Sequence, residues 1–325
     1  MIIRSRPFPL GTAMFVRNAL RIALVAAPLI CSTAQAQLFR AYLSVAGSDG
    51  NPCTLQAPCR LLPAALNAIA DGGEVWMLDS ANYNTATVNV AKSVSILAVP
   101  GVVGSVVATG GPAIHITGAE LTVALRNLVI GPVVTLPAGT VGVQMDSSDS
   151  VLTVENSLIA NLAEDGIRVQ GVGSLKVANT TLRNNGFYAI SLNDGAHAAI
   201  SGTQMLNNVA GGVYAGNSIG SRTTTASIFE SVISGGTDGV LADNGAADAT
   251  ARISIRRSTI KKTQHGMSSV ADVGTAEVNV GRSLIVDNDN GWDQSGAGAT
   301  IRTLGNNQMR GNAGSLGVLT PLAPQ

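Results

Sequence analysis

The sequence predicts an all-β, right-handed parallel β-helix solenoid with a short N-terminal capping helix. Three observations carry this: an imperfect internal repeat, short alternating strands within each repeat, and a composition too poor in aromatic and charged residues for compact globules. Aromatic residues make up 3% of the chain and charged residues 12%, against roughly 25% charged in average domains. A core built from small and β-branched residues needs regular stacking, which a solenoid supplies.

The repeat is seen by aligning Val154-Glu-Asn-Ser-Leu-Ile-Ala-Asn161 with Val177-Ala-Asn-Thr-Thr-Leu-Arg-Asn184. A key apolar position recurs at Ile130, Ile159, Leu182, Met205, Ile233, Ile260, Ile285 and Met309, in steps of 29, 23, 23, 28, 27, 25 and 24 residues. Such a period marks a repeat architecture with loops absorbing the variation. A second element follows in most copies, as in Gly166-Ile-Arg-Val169, Ala189-Ile-Ser-Leu192 and Gly239-Val-Leu-Ala242. A third precedes, as in Leu152-Thr-Val154, Leu175-Lys-Val177 and Ile253-Ser-Ile255. Three short strands per unit is the reading. Leucine-rich repeats share the period, but the second half of each unit shows two-residue alternation with Gly and Asn, and no helical pattern. Parallel crossovers are overwhelmingly right-handed, which sets the expected hand.

Residues 1–36 are read as a signal peptide: Arg4, Arg6, Arg17 and Arg21, an apolar run from Ile22 to Ile30, then Ala34-Gln35-Ala36 before a cleavage point ahead of Gln37. The run is about half the roughly 20 residues a spanning helix needs, so no transmembrane anchor is expected in the mature protein. Ile30 ahead of Cys31 argues against a lipid anchor. Export to the periplasm or beyond the cell follows. Losing four arginines leaves 16 basic against 20 acidic residues, a surface unsuited to nucleic acid.

Residues 37–73 are read as an N-terminal cap. It holds Cys53 and Cys59, expected to form a local disulfide in an oxidising compartment, with an incomplete zinc site as the alternative. It also holds an apolar stripe at helical spacing, Leu61, Leu62, Ala65, Leu66 and Ile69, suited to sealing the open end of the solenoid. The β-helix is placed at 74–315. Its first coils are less regular, at Glu74-Val-Trp-Met-Leu-Asp79, Thr87-Val-Asn-Val90, Val94-Ser-Ile-Leu-Ala98, Ala113-Ile-His-Ile-Thr117 and Leu121-Thr-Val-Ala-Leu125. Residues 316–325 are left as a C-terminal tail.

The segment Gly47-Ser-Asp-Gly-Asn-Pro-Cys53, with Ala57-Pro-Cys-Arg60, the helix and Asp71-Gly-Gly-Glu74, resembles the N-terminal signature of bacterial exported right-handed β-helix repeat proteins of the pectate-lyase-like superfamily. That resemblance implies a fold that hosts lyases, hydrolases, epimerases, phage tailspikes and surface proteins. Function then has to be argued from a site.

Asn161, Asn184 and Asn207 share one position in three consecutive coils and are expected to form a structural asparagine ladder along the axis. Glu230, Arg257 and Arg282 form a charged column, and Lys262 stands above Asp287, both expected as surface ion pairs of little energetic weight. A further column precedes the glycine of the second element: Asp165, Tyr188, Gly211, Asp238, His265 and Asn290. Asp238, His265 and Asn290, with Thr237, Gln264 and Asp289 beside them, are the candidate catalytic residues, because a carboxylate can orient an imidazole and raise its basicity. Asp, Asn and His before a turn glycine also have a purely conformational explanation.

His265-Gly266 resembles the His-Gly pair of pectin-hydrolysing β-helices, but the companion Asn-Thr-Asp and Asp-Asp motifs are missing. Asp243 with Asp248, and Asp287 with Asp289 and Asp293, are candidates for weak Ca²⁺ binding; no other cofactor is expected. Phe187, Tyr188 and Tyr214 form a candidate patch for sugar stacking or protein contact. The sequence therefore points first to a non-catalytic exported scaffold or binding surface, with polysaccharide or a cell-envelope protein as partner. A polysaccharide lyase or hydrolase and a self-associating adhesin are the alternatives.

Overall fold

The computed structural model describes residues 37–133, 139–146 and 148–322. The expected signal peptide lies outside them, as does the far end of the expected tail. Among the described residues no helix is long and apolar enough to cross a membrane.

The chain is a right-handed parallel β-helix of about ten turns. Each turn visits three sheets in order, one of 12 strands and two of 10. In the coil from Ser150, for example, the chain runs through Ser150–Glu155 in the first sheet, Leu158–Ala160 in the second and Ile167–Gln170 in the third. Most of these strands have three to seven residues and would bury little alone. Each gains backbone partners from the coils above and below it.

The key apolar column is the inner face of the second sheet. Ile130, Ile159, Leu182, Met205, Ile233, Ile260, Ile285 and Met309 pair in strict succession, and all but Met309 are buried. Val154, Val177, Ile200, Ile228, Ile255 and Val280 form the matching column of the first sheet. Each such side chain contributes about 1.5–3 kcal/mol of burial. Alternation along short strands thus produces a continuous core.

Two tight turns recur in every clean repeat, and each begins with a left-handed residue. Between the first and second sheets these are Asn156, Asn179, Gly202, Glu230, Arg257 and Arg282; between the second and third they are Asn161, Asn184, Asn207, Gly235, Lys262, Asp287 and Gly311. Asparagine and glycine tolerate this conformation best. The column expected to be the ladder is therefore first a conformational column, and along it Asn184 Nδ2 donates to Asn161 Oδ1 at 3.3 Å. The buried amide ladder stands one residue later. Asn185 donates its main-chain N–H and its amide to Asn208 Oδ1 at 3.1 and 2.9 Å, and Asn288 does the same to Asn312 Oδ1 at 3.1 and 3.0 Å. The first residue of the turn points out and the second points in, so only the second can carry buried bonds.

A hydroxyl ladder does the same work in the other turn. Thr203 N–H donates to Ser231 Oγ, Ser231 N–H to Ser258 Oγ and Ser258 N–H to Ser283 Oγ, each at 3.2 Å. In the charged columns, Arg257 meets Glu230 at 3.3 Å, while Lys262 and Asp287 are joined through the backbone, N–H to carbonyl at 3.2 Å.

Parallel pairing runs past the expected bounds at both ends. Leu38–Leu43, inside the cap segment, is the first strand of the 12-stranded sheet and pairs with Ile69–Met77. Leu319–Pro321, inside the tail segment, is the last and pairs with Ala299–Thr303. The helix spans Leu62–Ala68 and buries Leu62, Ala65 and Leu66. It stops where Ile69 turns extended and enters the next strand. Cys53 and Cys59 are disulfide-bonded and buried beside it.

Candidate functional site on the third sheet

The third sheet carries polar and aromatic side chains on its outer face because its strands alternate. Its central outward column reads Asn89, His115, Gln144, Arg168, Ser191, Tyr214, Leu241, Ser268 and Asp293, every neighbour paired in register. Beside it, where the chain enters the sheet, Tyr188, Gly211, Asp238, His265 and Asn290 are also in register. The glycine that follows is required by close approach: a Cβ on Gly239 would sit 2.3 Å from the Gly266 carbonyl oxygen. The coils nearly touch here. That brings Asp238, His265 and Asn290 into one row.

A groove of about 780 Å³ crosses the middle of this face. Phe187, Tyr188 and Tyr214 stand in it together. The Phe187 ring meets Tyr188 edge-on at 5.0 Å, and Tyr188 lies 5.3 Å from Tyr214 at a shallow 33° tilt. Phe187 is half exposed, whereas Tyr188 is buried against its neighbours. The Tyr214 hydroxyl donates to Asp243 Oδ2 at 3.2 Å. Burial and the surrounding carboxylates hold both tyrosine hydroxyls well above their usual pKa.

Next to the rings, Arg168 binds two acids. Its Nε donates to Asp165 Oδ2 at 2.7 Å and its Nη2 to Glu164 Oε2 at 2.7 Å. Asp165 is buried, and its other oxygen accepts the Tyr188 N–H at 3.0 Å. Burial pushes the Asp165 carboxyl above the ordinary aspartate range, against the pull of Arg168. The ion pair thus fixes the backbone that presents Tyr188.

At the N-terminal side of the groove, His115 Nε2 lies 2.8 Å from Asp146 Oδ2, which also accepts Gln144 Nε2 at 2.6 Å. On the other side, Asp238 is buried and accepts the Ser268 hydroxyl. Burial raises its carboxyl pKa, and Ser268 and His265 pull the other way. His265 Nδ1 lies 3.4 Å from Asn290 Nδ2 and 3.6 Å from Asp293 Oδ2. Six strand steps separate the two histidines, roughly 29 Å.

The Ca²⁺ candidates do not converge. Asp243 is engaged with Tyr214, Asp248 and Asp287 occupy left-handed turn positions, and Asp293 faces His265. Among the described residues no group of three or more His, Cys, Asp or Glu side chains is placed to hold a metal ion.

Sequence reasoning had named the aromatic patch and the Asp238 row but not the His115–Asp146 pair or the Arg168 clamp. Both left a signal. His115 is the middle residue of Ile114-His-Ile116 and so points outward, and Arg168 follows Glu164 and Asp165 at close spacing. Asp146 and Glu164 lie in irregular connections, where periodicity is silent.

Residues 141–313 match the family described as the right handed beta helix region. The chain belongs to that family. Among solved structures this β-helix is similar to the pectate lyase Pel9A, with a TM-score of 0.66, 16% identity, and 89% of this chain and 79% of that one covered. It is also similar to the GH136 lacto-N-biosidase from Eubacterium ramulus, with a TM-score of 0.53, 11% identity, and coverage of 87% and 67%. At these identities the likeness is one of fold. No curated protein sequence matches the β-helix.

Proposed function

We propose that this β-helix is an exported glycan-binding protein whose ligand lies across the outer face of the third sheet. The observation that carries the reading is the packed trio Phe187, Tyr188 and Tyr214 inside a groove lined by amide, hydroxyl and carboxylate side chains. Aromatic faces suit the apolar face of a sugar ring, and Gln144, Gln170, Ser191 and Asn193 offer donors and acceptors for hydroxyls. The fold is shared with two enzymes named for glycans, a pectate lyase and a lacto-N-biosidase. Export is supported by the N-terminal basic and apolar pattern and by the Cys53–Cys59 disulfide, which persists in oxidising compartments.

A glycan array probed with the purified protein tests the reading. Saturable binding is expected, and Phe187→Ala or Tyr214→Ala should weaken it by about tenfold, the equivalent of one stacking contact. Binding that survives both substitutions would move the site elsewhere.

A second reading, cleavage of the bound glycan, is favoured by the buried Asp238 beside His265 at one side of the groove. A buried carboxyl of raised pKa and an imidazole are the groups acid–base chemistry uses. Turnover of a broad polysaccharide panel that is abolished by His265→Ala and by Asp238→Ala would establish it. Full activity in both variants would remove this row from consideration.

A further inference from the structure

We infer that the groove on the third sheet takes a neutral glycan and rejects polyuronates. The inference rests on the glycan-binding reading and adds the class of ligand.

A polyuronate presents a carboxylate on every residue, and a site for it needs cations at the sugar spacing to offset that charge. Among the described residues the groove is lined by three aspartates, Asp146, Asp165 and Asp243, and one cation, Arg168. That cation is already paired with two acids. Its Nε and Nη2 are engaged by Asp165 and Glu164 at 2.6–2.7 Å. Diverting the guanidinium to a ligand would strip a buried carboxylate of its partner. Following the face toward the C-terminus, Asp238 and Asp293 add further acid. Like charges brought together in a partly desolvated groove are strongly discriminating.

The uncharged lining points the same way. Gln144 and Ser191 lie on the central outward column, and Gln170 is paired with Asn193 on the next. Amides and hydroxyls both donate and accept, matching sugar hydroxyls that do the same. Carboxylates accept hydrogen bonds from neutral sugars without repulsion. An acidic groove with an amide and aromatic lining is therefore compatible with hydroxyl-bearing rings and hostile to acid-bearing ones.

The test uses matched β-1,4-linked oligosaccharide pairs that differ only at C6: mannan with mannuronan, and cello-oligosaccharides with their C6-oxidised forms. Each pair is titrated calorimetrically against the purified full chain, with EDTA and again with added Ca²⁺. The neutral member of at least one pair is expected to bind at least about tenfold tighter than its acidic partner. Raising salt should narrow that ratio. Asp243→Asn and Asp146→Asn should narrow it as well, by improving the acidic member. Equal or tighter binding of the acidic member, with or without Ca²⁺, overturns the inference while leaving glycan binding in place. Failure of every pair to bind overturns the glycan-binding reading itself.

Discussion

Asn208 Oδ1 receives both the main-chain N–H and the side-chain amide of Asn185 from the coil before it, at 3.1 and 2.9 Å, while the Asn208 amide donates to the Leu182 carbonyl at 3.1 Å. Both asparagines are buried. One side chain thus bonds three polar groups of the preceding coil at its turn. Asn208→Ala should cost about 2–4 kcal/mol, because it leaves two donors and one acceptor unpaired in the interior. The neighbouring Asn207→Gly should stay within about 1 kcal/mol, since its left-handed φ of 54° suits glycine. Urea unfolding of the two variants checks the contrast. Equal losses would mean that the buried ladder carries no special weight.

The left-handed columns predict a gain. Lys262 sits at φ 56° at the position where other coils use Asn, Asp or Gly. A long side chain in this region costs about 1–2 kcal/mol relative to ordinary backbone, and asparagine relieves part of that. Lys262→Asn should stabilise by about 0.5–1 kcal/mol, read as a higher denaturation midpoint. A loss would show that Lys262 contributes a contact outweighing its backbone strain.

The core of the solenoid was legible because its signal is periodic. Each of the eight key apolar residues stands where the spacing placed it, and the register that aligns Ile233 with Ile260 also aligns Asp238 with His265. The side chains of Asn161 and Asn184 meet in the expected column, and a buried amide ladder runs one residue later. Asn184-Asn185 and Asn207-Asn208 are adjacent pairs, and a sequence does not say which member of a turn points inward. The end coils were hidden for a related reason. Leu38–Leu43 buries only Ala41 and Leu43 on a single short strand, with no second copy nearby to establish a repeat. The groove was legible only in part. Its aromatic residues fall on the repeat, while Asp146 and Glu164 are held by connections whose conformation the repeat does not encode.

The Arg168 clamp predicts a non-additive pair. Asp165 is 1% exposed, so Arg168→Ala leaves a buried carboxylate without its counter-charge, at a cost of about 3–5 kcal/mol. Asp165→Asn combined with Arg168→Ala removes both charges and should recover a large part of that loss. A double-mutant cycle by chemical denaturation measures the coupling. Simple additivity would mean that water, and not Arg168, compensates Asp165.

Asp238 makes a pH prediction whose sign follows from its burial. The folded protein holds this carboxyl above the ordinary value of 3.8, chiefly because burial disfavours the charged form. The native state therefore keeps the proton at pH values where the unfolded chain has released it. Stability from this group is fully present below the unfolded pKa and is lost as the pH rises through the folded one. Asp238→Asn replaces the carboxyl with a neutral amide of the same shape, which can still accept the Ser268 hydroxyl. At about pH 7 the variant should melt above the parent, and the gap should close as the pH falls below about 3.9. Asp165 and Asp243 are shifted in the same direction, but they are present in both proteins and cancel in the difference. Paired melting curves across this range decide the matter. A variant that melts below the parent by the same margin at every pH would show that the Asp238 charge adds no cost to the fold, and that Ser268 and His265 fully offset its burial.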